Sequence, residues 1–234
     1  MFPRTVSSED SSDRRQPHQL PPGRHGLPRS FVIQNQRERI LSAVAYVTSA
    51  ASYAEMSVED IIVTAGVSRR TFYEHFKNKE DVFLAAYDAV TAQLVERVVA
   101  AVEAKDTFVD QCAAGLRTFL EFVASEPAFG RMCIVEVLAA GPDAIKRRND
   151  TMQAFAALID GKANELLEGK IPPPLTAETV VGGIYEVVYT RVLRGEIQDL
   201  PALLPELAYS SLLPYLGQEA AREMRARLSQ ARAA

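Results

Sequence analysis

From about residue 33 onward, apolar residues return at three- and four-residue steps, and no strand-like two-residue alternation bounded by turns occurs. A chain patterned this way buries its apolar stripes by packing helix against helix. The expected fold class is therefore all-α. Helices should span about 34–52, 58–64 and 69–76, with a longer one opening after Asn78. Beyond residue 100 they should cover roughly 106–124, 127–140, 143–168, 176–194, 202–214 and 218–232. Glu126-Pro127, Gly141-Pro142, Ile171-Pro172-Pro173-Pro174 and Gly217 punctuate these stretches. Pro205 either begins its helix or kinks it. Residues 1–30 break the pattern, with five prolines, clustered serines and scattered arginines. They cannot bury enough surface to offset their ordering entropy and are expected to form a disordered arm.

With 234 residues the chain is long enough for one or two domains and a sizeable core. No apolar run approaches the ~18 residues of a membrane-spanning helix, and the first residues lack the apolar stretch of a signal peptide. The expected location is the cytoplasm, without membrane association. Cys112 and Cys133 form no disulfide framework and match no metal-ligand spacing. Of three histidines, His18 and His25 lie in the arm, leaving His75 alone in folded sequence. No nucleophile-elbow, zinc-protease, phosphate-loop or dinucleotide motif occurs. Thus no catalytic residues, metal site or cofactor are expected, although enzymes that rely on carboxylates alone stay open. Charge is uneven: residues 1–79 hold 11 Lys+Arg against 8 Asp+Glu, whereas residues 80–234 hold 15 against 22. A basic end on an acidic body points to an anionic partner for the first part only.

That first part carries a helix-turn-helix pattern: a long helix, then two short ones joined by Ala65-Gly66-Val67. Ser57 caps the first short helix, with Asp60 completing a variant capping box, and Ser68 caps the second. Gly66 supplies the positive φ of the turn. In the second short helix Phe72 and Phe76 must face the core, which turns Arg70, Thr71 and Glu74 outward and leaves Tyr73 and His75 on the flanks. Such a face suits the major groove of double-stranded DNA. It could also be an ordinary solvated surface on which Arg70 and Glu74 pair. Lys79 favours the first reading: a cation in the first turn of a helix opposes the macrodipole, and a bound phosphate would neutralise it.

The segment Ala65-Gly66-Val67-Ser68-x-x-Thr71-Phe72-Tyr73-x-His75-Phe76-x-Asn78-Lys79-Glu80 closely resembles the DNA-binding signature of the TetR family of transcriptional repressors. The resemblance covers about residues 34–87. It implies a helix-turn-helix domain over 31–79, within an N-terminal three-helix bundle, and a helical ligand-binding and dimerisation domain over 80–234. It further implies a homodimer on a palindromic operator, released by a small-molecule effector. By position, Arg69 and Arg70 would read bases, while Ser57, Thr71, Tyr73, His75 and Lys79 would contact phosphates. Two residues depart from the family pattern: Ser52 stands where a Gly is common, and Ile62 where Ala is usual.

In the body, Phe119, Phe122, Met152 and Phe155 are the expected lining of a cavity for an apolar or aromatic effector. Two helices apolar over so wide an arc need a second covering surface, either the rest of the domain or a twin chain; with the resemblance, Val180, Ile184, Val187 and Val188, together with Leu204 and Leu207 of the next helix, are the expected dimer interface. Gly182-Gly183 would allow close approach there. The leading reading is a ligand-responsive repressor. Its rivals are a small-molecule-binding or enzymatic protein with a vestigial helix-turn-helix, and an architectural nucleoid protein, which the acidic body disfavours.

Overall fold

A computed structural model describes residues 28–167 and 172–233. Most of the expected arm, including His18 and His25, lies outside the described residues. Within them the chain is helical, without strands. Helix α1 (Arg29–Ala51) begins five residues earlier than the apolar pattern indicated, after Pro28, and its first turns leave Phe31 and Ile33 exposed. Helices α2 (Val58–Ala65) and α3 (Arg69–His75) follow, then α4 (Lys79–Glu103) and α5 (Phe108–Ser125). The segment expected as one helix over 127–140 divides into α6 (Pro127–Ile134) and a 3-10 turn, Glu136–Ala139. Helices α7 (Pro142–Leu166) and α8 (Thr176–Leu193) complete the middle of the chain, and a second 3-10 segment, Ile197–Leu203, leads into α9 (Leu204–Ala233). Pro205 falls in the first turn of α9, where its missing N–H costs nothing. Gly217 interrupts α9 with φ 79°, producing the break that the sequence placed there.

The local chemistry explains the boundaries. Ser57, Ser68, Asn78 and Thr107 each accept from the backbone N–H three residues ahead, satisfying donors that a helix start leaves free. Pro127 and Pro142 occupy opening positions of α6 and α7. One apolar cluster joins Ile40, Val44, Ile61, Phe72 and Phe76 of the head to Val82, Phe83 and Tyr87 of α4, and onward to Met132 and Val137. A second gathers Leu120, Val188, Leu200, Leu204 and Leu212 from α5, α8, the second 3-10 segment and α9. Helix α4 contributes to the first cluster almost along its whole length, so head and body share a rod as well as a core.

Candidate functional site: a nucleic-acid face and an apolar cavity

The head presents α3 outward on a packed base. Phe72 is wholly buried and Phe76 nearly so, their rings 6.0 Å apart, and this fixes which way the rest of α3 points. Arg70 is 89% exposed and pairs with Glu74 at 3.0 Å; Arg69 pairs with Glu59 at 3.6 Å. Exposed pairs of this kind are worth little, so both arginines are available to a competing anion. Tyr73 lies half exposed, edge-on against Phe72. His75 is held below its ordinary pKa, first by burial and then by Arg37, and is neutral at pH 7. The hydroxyls of Ser57 and Thr71 are engaged locally. Ser57 Oγ donates to Asp60 Oδ2, and Thr71 Oγ1 shares a 2.8 Å hydrogen bond with Ser68 Oγ.

Lys79 has a partner that the sequence did not show. Its ammonium donates to the carbonyls of Tyr53 at 3.1 Å and Ala54 at 3.4 Å, and lies 4.6 Å from the centre of the Tyr53 ring. The cation that looked unmatched at a helix start thus ties α4 to the turn after α1. Glu136 grips the same turn from the other side. It is 4% exposed; its Oε2 accepts from the Tyr53 backbone N–H at 2.8 Å, and its Oε1 lies 3.2 Å from the Arg131 guanidinium. Ser52, immediately before, holds φ 84° and ψ 160°, a region suited to glycine. The turn has therefore kept the shape a Gly would take, with strain on the Ser. Ile62, the other departure, is buried in the first cluster. Arg39, not foreseen, donates to the carbonyls of Ala65 and Gly66 at the end of α2, closing the helix-turn-helix from behind.

The body encloses a cavity of about 160 Å³ bordered by α4, α5, α6, α7, α8 and α9. Its lining on α4 runs from Tyr87 to Val102, about 22 Å along the axis. The cavity is thus elongated, a slot running along α4. Phe119, Met152 and Phe155 line it, the two rings 6.4 Å apart. Phe122 does not: it is buried in the first cluster with the Arg97 guanidinium 5.2 Å from its ring centre. It lies three residues beyond Phe119 on α5, about 60° round the helix, which carries its ring past the edge of the slot into the first cluster, against which Phe119 also packs. The six residues expected at a dimer interface lie in different surroundings within the chain. Val180 and Ile184 line the cavity, while Val188, Leu204 and Leu207 are covered within their own chain by the second cluster. Val187 alone of the six is exposed. Cys112 and Cys133 border the slot as well, their thiols pushed up to about 12 by burial and so protonated at neutral pH.

Several polar residues of the slot were missed: Gln111, Arg148, Thr151 and Tyr215. One signal was present. Arg148, Met152, Phe155, Ile159 and Lys162 follow one another at three- and four-residue steps, an apolar stripe with a cation at either end.

Residues 40–86 match the family model described as bacterial regulatory proteins, tetR family. The head of the chain is thus a TetR-family DNA-binding domain. Among relatives, the fatty acid metabolism regulator protein of Bacillus subtilis is 25% identical over 171 residues, covering 70% of this chain and 88% of that protein. The transcriptional regulator EthR of Mycolicibacterium smegmatis is 26% identical over 178 residues, or 74% and 80% of the two chains. In fold, the chain resembles the crystal structure of FadR from Bacillus subtilis in complex with stearoyl-CoA. The TM-score is 0.66 at 22% identity, covering 77% of this chain and 98% of that one. Among the described residues no helix is long and apolar enough to cross a membrane.

Proposed function

We propose that this protein is a transcriptional repressor that binds operator DNA as a homodimer and is released when an apolar effector fills the slot in its body. The carrying observation is that α4 takes part in both sites. Its first residue, Lys79, holds the turn behind the helix-turn-helix, and Tyr87, Thr91, Leu94, Val98 and Val102 form one wall of the slot. A ligand that displaces that wall moves the base on which α3 stands. Arg69 and Arg70, exposed at the start of α3, are assigned to base edges. Tyr73, His75 and Lys79 are assigned to phosphates, with Ser57 and Thr71 contributing hydroxyls that must leave their caps or share them. The dimer surface is assigned to the outward side of α8 and α9 that carries Gly183, Val187 and Leu213. Its apolar members are exposed, and a Cβ on Gly183 would meet nothing within 4 Å of its own chain. The stearoyl-CoA held by the Bacillus subtilis neighbour supports an effector with a long apolar chain.

The test is a salt titration of binding to the DNA upstream of the gene and to scrambled DNA. A repressor binds the first more tightly at every salt concentration, and palmitoyl-CoA or a related chain weakens that binding. Equal affinity for both DNAs, unmoved by any such chain, would leave the reading without support.

A further inference from the structure

The slot is apolar along its length and polar at both ends, and the two ends differ in charge. At one end the Arg148 guanidinium lies 4.0 Å from the centre of the Tyr185 ring, with its Nε buried and without a hydrogen-bond partner. Its neighbours Lys146 and Arg147 pair with Asp150 and Asp88, whereas Arg148 donates to the Asn149 amide oxygen and meets no carboxylate among the described residues. Tyr87 and Thr151, in hydroxyl contact at 3.5 Å, line the slot with it. At the other end Gln111 and Tyr215 are each 6% exposed, and each has a buried oxygen without a partner, Gln111 Oε1 and the Tyr215 hydroxyl. The Gln111 amide nitrogen is already spent on the Lys105 carbonyl. The cation at this end, Lys162, is matched by Glu165 at 3.0 Å and Glu103 at 3.7 Å. One end therefore offers an uncompensated positive charge, and the other offers neutral oxygens, one of which can only accept.

We propose that the effector is a two-headed amphiphile: a long apolar chain with an anionic group at Arg148 and a hydroxyl at the Gln111–Tyr215 end. This rests on the slot being the effector site. The hydroxyl donates to Gln111 Oε1 and shares a hydrogen bond with the Tyr215 phenol, while the anion accepts from Arg148 Nε. Tyr215 is close enough to Asp160 to feel its charge, and Asp160 stands twelve residues beyond Arg148 on α7, about 18 Å along the axis. That span is matched by chains of fatty-acid length. A hydroxyl that meets a site built for it is strongly discriminated from its absence, because the alternative leaves buried oxygens unpaired.

The experiment titrates the full-length protein calorimetrically with laurate, myristate and palmitate, with their ω-hydroxy derivatives, and with the corresponding fatty alcohols. The acids are presented both free and as CoA thioesters, and the form that binds tighter names the source of the anionic group. At the best length the ω-hydroxy acid should bind about tenfold or more tighter than the plain acid, and the plain acid tighter than the alcohol by a similar factor. Arg148→Met should erase the preference for acid over alcohol and leave the preference for the ω-hydroxyl. Gln111→Leu combined with Tyr215→Phe should do the reverse, with melting of the ligand-free variants showing that each is folded. If chains bind and release the operator without either preference, the two-headed effector is wrong and the slot remains the effector site. If none binds, both ideas fall together.

Discussion

The head and the body of this protein solve opposite problems. In the head, the residues assigned to DNA lie within 57–79 and point outward from a small aromatic core. In the body, the residues around the slot range from Tyr87 to Tyr215 and point inward from six helices. The head resists change in its core and tolerates it on its face; the body inverts that, with its chemistry inside and its tolerance outside. The difference teaches where a substitution should unfold the chain and where it should only disable it.

The largest effect should come from confusing the two faces of α8. Val188 is fully buried in its own chain, so Val188→Glu should cost about 4 kcal/mol or more and abolish cooperative melting. Val187→Glu, one residue away on the exposed stripe, should leave the fold intact and yield monomers in sedimentation. Two folded, dimeric variants would remove the distinction between the inner and outer faces of α8. Next is the joint between the regions. Glu136→Ala leaves the Tyr53 amide and the Arg131 guanidinium without their shared acceptor, for a loss of about 3 kcal/mol in thermal unfolding. Glu136→Gln, which retains an acceptor for Tyr53, should lose less.

On the DNA side, Arg70→Ala should relax preference at one base pair per half-site by about 1–3 kcal/mol while leaving binding to scrambled DNA nearly unchanged. Lys79→Ala should weaken both and lower the salt slope by roughly one per site. It should also lower the melting temperature, because Lys79 holds the carbonyls of Tyr53 and Ala54. A base preference altered by Lys79→Ala and untouched by Arg70→Ala would reverse the orientation assigned to α3. The smallest effect is a gain. Ser52→Gly should raise stability by about 1 kcal/mol by removing the strain at φ 84°, measured as an upward shift in denaturant midpoint.

Most of the helices and the outward face of α3 were legible because their determinants are local. Caps act over three residues, the Phe72/Phe76 spacing orients one short helix, and Gly66 marks one turn. The body was less legible because a helix apolar over a wide arc does not say which stripe meets which neighbour. Val187 and Val188 look alike in sequence, and only the positions of α5 and α9 separate them. Phe119 and Phe122 both pack against the first cluster, yet only Phe119 also reaches the slot. Lys79 shows a subtler gap: its helix position marked it as needing a counterpart, and the partner it has in the structure is a backbone carbonyl 26 residues back, in the turn after α1.

The bond between Glu136 and residue 53 has a bearing on how such proteins can be recombined. The carboxylate accepts from a main-chain N–H and not from the tyrosine side chain, so this bond in itself does not depend on which residue occupies position 53. What the bond demands is that the turn deliver that N–H to a fixed place, which here requires an unusual backbone conformation at Ser52. The body therefore inspects the contour of the head and is indifferent to its spelling. Heads from distant relatives should be interchangeable parts on this body wherever they carry the same bend after their first helix. A head with a differently bent turn would leave one oxygen of that buried carboxylate without its donor, however similar its recognition helix.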